Sequence, residues 1–170
     1  MTAKVTRTTI ESSPYDNVYT IMNNRDNIAD PRGSSAEKRA FIHDSDPMVK
    51  SMDFSGYPYI VLELPTLEYS RESVDASKKF IAWKHMITIR TGKDGGSGNT
   101  TDIGRTDMLS ICDDLNKTFN SKSIKQEMFD LGMRQIKLTK IDTDTLVLNQ
   151  RHVYEARYEL TYEIRLEVDE

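Results

Sequence analysis

Residues 154–168 read YEARYELTYEIRLEV, and this stretch decides the fold. Tyr154, Ala156, Tyr158, Leu160, Tyr162, Ile164, Leu166 and Val168 take every even position. Glu155, Arg157, Glu159, Thr161, Glu163, Arg165 and Glu167 take the odd ones. A period of two places all apolar side chains on one side of an extended chain, so the pattern specifies a strand with a core face and a wet face. Sixteen or so residues at ~3.3 Å each span roughly 50 Å, about three times a usual strand. Such length predicts packing or pairing beyond one subunit, with the odd face as its partner side.

The same period recurs upstream. Ile81, Trp83, His85, Ile87 and Ile89 alternate with Lys84, Thr88 and Arg90, which predicts a second long strand over 79–90. Tyr59 to Leu64 reads as a strand stopped by Pro65, and Ala40-Phe41-Ile42 as a short one. Ile136 and Leu138, then Leu146-Val147-Leu148, bracket Asp142-Thr143-Asp144, which reads as a turn between two strands.

Helical spacing appears three times. Ser13-Pro14 reads as a cap followed by proline in the first turn, and Tyr15, Val18, Tyr19 and Met22 form one stripe. Asp30-Pro31 is expected to close that helix near Ile28. Met108, Ile111, Cys112, Leu115 and Phe119 mark a second helix, with Thr106-Asp107 at its front. Ile124, Met128, Phe129 and Leu131 mark a third, ended by Gly132 at the position after the cap. The order predicts one α+β domain over 1–170, an antiparallel or mixed sheet of long strands with helices packed on one face. Residues 1–13 read as an extended arm.

Composition narrows function. The chain has 170 residues and a formal net charge of -4. Its Lys78, Lys79, Lys84 and Arg90 are scattered along one strand, which is a poor phosphate-binding patch. A single cysteine, Cys112, permits no internal disulfide and argues against a structural zinc site. No signal peptide pattern opens the chain, and no apolar run approaches the ~20 residues of a membrane span, so a cytosolic, membrane-free protein is expected.

Candidate sites fail on chemistry. Gly92-Lys93 is followed by Asp94, where a phosphate loop needs Ser or Thr, and Thr101 stands where a dinucleotide loop needs glycine. Gly96 and Gly98 fall where a calcium loop needs ligands. Asp142-Thr143-Asp144 and His43-Asp44-Ser45-Asp46 read as turn chemistry. His85, on one face with Trp83 and Ile87, reads as a satisfied or half-buried histidine, and Cys112 as a buried thiol. No catalytic residue, metal or cofactor is expected. The residues expected to meet a partner are Glu155, Arg157, Glu159, Glu163 and Arg165 of the last strand. Gly95, Gly96 and Gly98 of the 92–101 loop join them.

In its order and texture the chain resembles the tail terminator, or tail-completion, proteins of tailed bacteriophages. A short helix at 15–28 is followed by Tyr57-Pro58-Tyr59-Ile60-Val61, then the long strand 80–90. A flexible loop precedes the helix of Asp107-Met108-Leu109-Ser110-Ile111-Cys112-Asp113-Asp114-Leu115. A short helix ends in Leu131-Gly132, and an amphipathic strand closes the chain. The resemblance implies a virion protein of the tail or neck, assembled in the host cytoplasm. It implies a ring, commonly hexameric, that caps the tail tube, ends its polymerisation and offers a surface to the head-completion or connector protein. Its partners would be copies of itself, the tube protein and the connector, with DNA passing through the lumen without sequence-specific contact. Other neck or tail components, such as a head-closure protein or tube subunit, and a non-viral intracellular protein-binding module remain the alternatives.

Overall fold

A computed structural model of the chain describes residues 9–32, 41–47, 56–72, 78–92, 103–148 and 151–167. The elements are α1 (Thr9–Asn23), β1 (Ile42–His43), β2 (Tyr59–Leu62), β3 (Thr66–Glu72), β4 (Lys78–Gly92), α2 (Ile103–Asn120), α3 (Lys122–Asp130), β5 (Met133–Leu148) and β6 (Arg151–Glu167). They form a six-stranded mixed sheet in the order β1-β2-β4-β6-β5, with β3 also paired to β4. This is the expected α+β class.

β6 organises the sheet. Its apolar face, Ala156, Tyr158, Leu160 and Tyr162, is fully buried under the helices. It pairs antiparallel with β4 from Lys78↔Glu167 to Gly92↔Val153, and with β5 from Met133↔Ile164 to Leu148↔Arg151. Its length is therefore used inside the subunit: both of its edges are occupied by strands of 15 and 16 residues. The expectation that β6 itself pairs outside the subunit does not hold. Among the described residues, β5 and β3 each pair along one edge only.

β2 and β3 share the other edge of β4. β2 lies along Ile87–Arg90 and β3 along Lys79–Lys84, with the Glu63 N–H bonded to the Met86 carbonyl at 3.0 Å between them. β2 ends at Leu62, ahead of Pro65 as expected, and β3, which starts just after it at Thr66, is an addition to the sequence reading. β1 is parallel to β2, through Ile42↔Ile60 and His43↔Val61, which makes the sheet mixed.

The three described helices cover one face. Val18, Ile21 and Met22 of α1 join Met108, Ile111, Leu115 and Phe119 of α2 and Ile124 and Met128 of α3 over Ile60, Leu62, Ile87, Ile89, Tyr158, Leu160 and Tyr162. Polar contacts tie the segment after α1 to α2. The Thr118 hydroxyl donates to the Asn27 carbonyl at 2.9 Å, and Arg32 meets Asp107 at 3.1 Å.

The helix boundaries correct the sequence reading. α1 begins at Thr9, with the buried Pro14 inside it, so residues 9–13 are helical rather than part of an arm; residues 1–8 lie outside the described residues. Proline's φ near −65° is helical, so here it removes one donor without ending the helix. α1 stops at Asn23, well before Pro31. Asn24 forms the following turn, accepting from the Asn27 and Ile28 N–H groups at 2.9 and 3.0 Å. α3 ends as expected: Gly132 has φ of +90°, and its N–H bonds the Phe129 carbonyl at 3.0 Å.

Asp142-Thr143-Asp144 is not a turn. β5 runs through it unbroken, with Asp142 opposite Arg157 and Asp144 opposite Glu155. Two register shifts, between Arg134 and Lys137 and between Lys140 and Asp142, absorb the irregular spacing that resembled two strands. Gln135, in the first shift, takes a left-handed φ of 53°.

Candidate protein-interaction surface

The face of the sheet that none of the described helices covers, its helix-free face, holds the charged side chains that alternation places opposite the core. Directly opposed residues of paired strands share a face, so Arg90, Glu155 and Asp144 stand in one row. Thr88, Arg157 and Asp142 form the next, and Met86, Glu159 and Thr139 the third.

These charges are interlocked rather than simply solvated. Arg90 Nε donates to Glu155 Oε2 at 2.7 Å, and its Nη1 bonds Asp46 and, at 3.2 Å, the Tyr59 hydroxyl. Burial works to lower the Arg90 pKa, but its bonds to Tyr59, Glu155 and Asp46 outweigh that and raise it. Tyr59 is raised by its own burial, against the opposing pull of Arg90. Arg157 grips Asp142 with two hydrogen bonds, Nε to Oδ1 at 2.9 Å and Nη2 to Oδ2, and this pairing lowers the Asp142 pKa. Lys84 bridges Glu68 of β3 and, at 3.7 Å, Glu159.

The sequence-predicted partner residues therefore divide. Arg157 is exposed, and Glu159 is half-buried. Glu155 and Glu163 retain only 7% and 3% exposure, which corrects their place on a wholly wet face. Glu155 is covered because Val153, Tyr57, Tyr59 and Val61 build a second, smaller apolar cluster at this end of the helix-free face. Glu163 lines a groove of about 510 Å³ with Phe80, Lys125, Phe129, Arg134 and Gln135. Arg165 is opposite Phe80 in the ladder, and its side chain lies outside the described residues. Gly95, Gly96 and Gly98 also lie outside them. Gly92, just before, closely approaches Tyr57: a Cβ there would stand 3.0 Å from the ring.

The Asp46–Arg90–Tyr59 contact was not foreseen. Asp46 is far from Arg90 in sequence, and nothing but the parallel β1–β2 pairing brings them together. The Arg90–Glu155 pair was legible in principle, because opposite charges at alternating positions of two long strands become neighbours once the strands pair.

Two other sequence readings hold. His85 is fully buried; its Nδ1–H donates to the Glu63 carbonyl at 2.9 Å, which leaves Nε2 to accept from the Tyr162 hydroxyl at 2.8 Å. Burial lowers its pKa despite the Glu63 bond. Cys112 is buried, and burial raises its thiol pKa. Among the described residues no group of three or more His, Cys, Asp or Glu side chains is placed to hold a metal, and no helix is long and apolar enough to cross a membrane.

Compared with known proteins, the chain matches no family model, and no curated protein is significantly similar to it.

Proposed function

We propose that this chain is a structural protein of a tailed-phage virion, a ring-forming subunit at the neck that caps the tail tube, ends its polymerisation and offers a joining surface to the head. The observation that supports this best is the build of the sheet. Three strands of 15 to 17 residues form a long platform in a 170-residue chain, with helices on one face and interlocked charges on the other.

Such a platform suits mechanical work. Paired long strands resist bending, and ion pairs held across rungs keep side chains in fixed register without closing the surface to water. Arg157 and Glu159 are the accessible charges among the described side chains of β6, and they are the residues this reading turns toward the tube or the connector. Charge patterns of this kind select partners and register more than they add affinity. A ring of acidic subunits would also let DNA pass through its lumen without adhering. No step in this role requires a catalytic residue, metal or cofactor.

The test is functional capping. Added to polymerising tube subunits of the same virus, the protein should give tubes of uniform, limited length with a ring at one end in electron micrographs. Tubes that grow equally with and without it contradict the reading.

A further inference from the structure

Of the large apolar side chains exposed among the described residues, all but Leu109 gather at two places. Leu64 and Leu67, 66% and 59% exposed, lie on or beside β3. Phe129 and Leu131 lead into β5, and Ile141 and Val147 lie along it. Scattered exposed apolar residues are ordinary, but confinement to opposite margins of one sheet is the mark of an interface. β3 and β5 are also edge strands: among the described residues β3 pairs only with β4, and β5 only with β6.

The two margins carry opposite charge. Residues 133–140 of β5 hold Arg134, Lys137 and Lys140 and no carboxylate, with Lys122 and Lys125 of the adjoining α3 exposed nearby. Residues 63–72 hold Glu63, Glu68 and Glu72 against one cation, Arg71, and Asp44 is exposed beside β1 on the same side of the sheet. The seven residues of β3 and the eight of the basic segment differ in length by one. β4 and β6 stand between these margins, which separates them by roughly 14 Å at ~4.8 Å per strand. They cannot meet within one subunit.

We infer that these margins are the two halves of one interface between copies of this chain: the β5 margin of one subunit docks on the β3 margin of the next. Because the halves differ, the contact is head-to-tail, and repetition of it generates a ring if the rotation closes. Backbone groups on the outer edges of β3 and β5, which no described strand pairs, supply hydrogen bonds, the leucines meet Phe129, Leu131 and Ile141, and the charges set direction. This rests on the ring-forming reading and names the surfaces that build the ring.

Charge reversal tests it. One variant carries Lys137→Glu and Lys140→Glu; a second carries Asp44→Lys and Glu63→Lys. All four side chains are exposed, so both variants should keep the parent's melting temperature to within a few degrees. Each alone should associate at least tenfold more weakly than the parent, by light scattering on a sizing column. Mixed, they should assemble again, because every contact in an alternating ring then joins complementary margins. Variants that each assemble like the parent, or a mixture that fails to recover, overturn this pairing while a ring of parent subunits still stands. A parent chain that stays monomeric overturns the ring itself.

Discussion

Arg90 of β4 and Glu155 of β6 face one another across the sheet, 2.7 Å apart, on the side where alternation alone predicts open water. Their side chains are only 17% and 9% exposed, so this pair belongs to the interior of the helix-free face. Removing one partner leaves a poorly hydrated charge behind. Glu155→Ala should cost about 2 kcal/mol, below the 3–5 kcal/mol of a fully buried pair because some water reaches Arg90. Arg157→Ala, at an exposed pair, should cost less than about 1 kcal/mol. Urea unfolding followed by Trp83, the single and buried tryptophan, measures both. Equal costs would mean that the two rungs are equally solvated.

His85 makes stability depend on pH. Its folded pKa lies below the ordinary value of about 6.5, so as pH falls the unfolded chain takes up the proton first. The contribution is fully present above about pH 6.5 and is lost below it, by up to ~1.4 kcal/mol per pH unit. A His85→Gln variant should be less stable near neutral pH yet lose less on going from about pH 7 to 5.5. Carboxylates act alike in both proteins, so the difference isolates the imidazole. Parallel curves would show that His85 is protonated within the fold.

Cys112 offers a clean probe. Buried on α2, with its thiol pKa raised by burial, it should react with an aromatic disulfide roughly a hundredfold more slowly in the native protein than in denaturant. Fast native labelling would show that α2 opens readily from the sheet.

The open face of β6 bears on partner contact. Arg157→Glu combined with Arg165→Glu should leave the subunit folded, since Arg157 points away from the core, and should yield tubes of uncontrolled length. Normal capping by this variant would place the tube contact elsewhere.

The sequence carried the fold wherever periodicity was clean. β4, β6 and α2 each follow one period over many residues, because each lays a single face on a core. Legibility failed where tertiary contacts override local pattern. β3 was invisible because it is an exposed edge whose Leu67 faces water, so burial imposes no alternation on it. Asp142 looked like a turn residue, but its partner Arg157 is 15 residues away and reached only through strand pairing. Pro14 looked like a helix start because the rule is local, whereas Val18 and Met22 hold α1 on the sheet. Of the surface, the charged positions of β6 were legible; which of them are covered depended on Tyr57, Tyr59 and Val61 arriving from another strand.

Closure of the proposed ring is read from the mass of the purified protein in solution. Native mass spectrometry at low salt should give one dominant assembly at an integral multiple of the 19.5 kDa chain, six copies on the phage reading, and a ring in projection. The assembly should loosen as salt rises, because oppositely charged margins are screened. A single species at the mass of one chain, at every concentration and salt tried, would contradict the account.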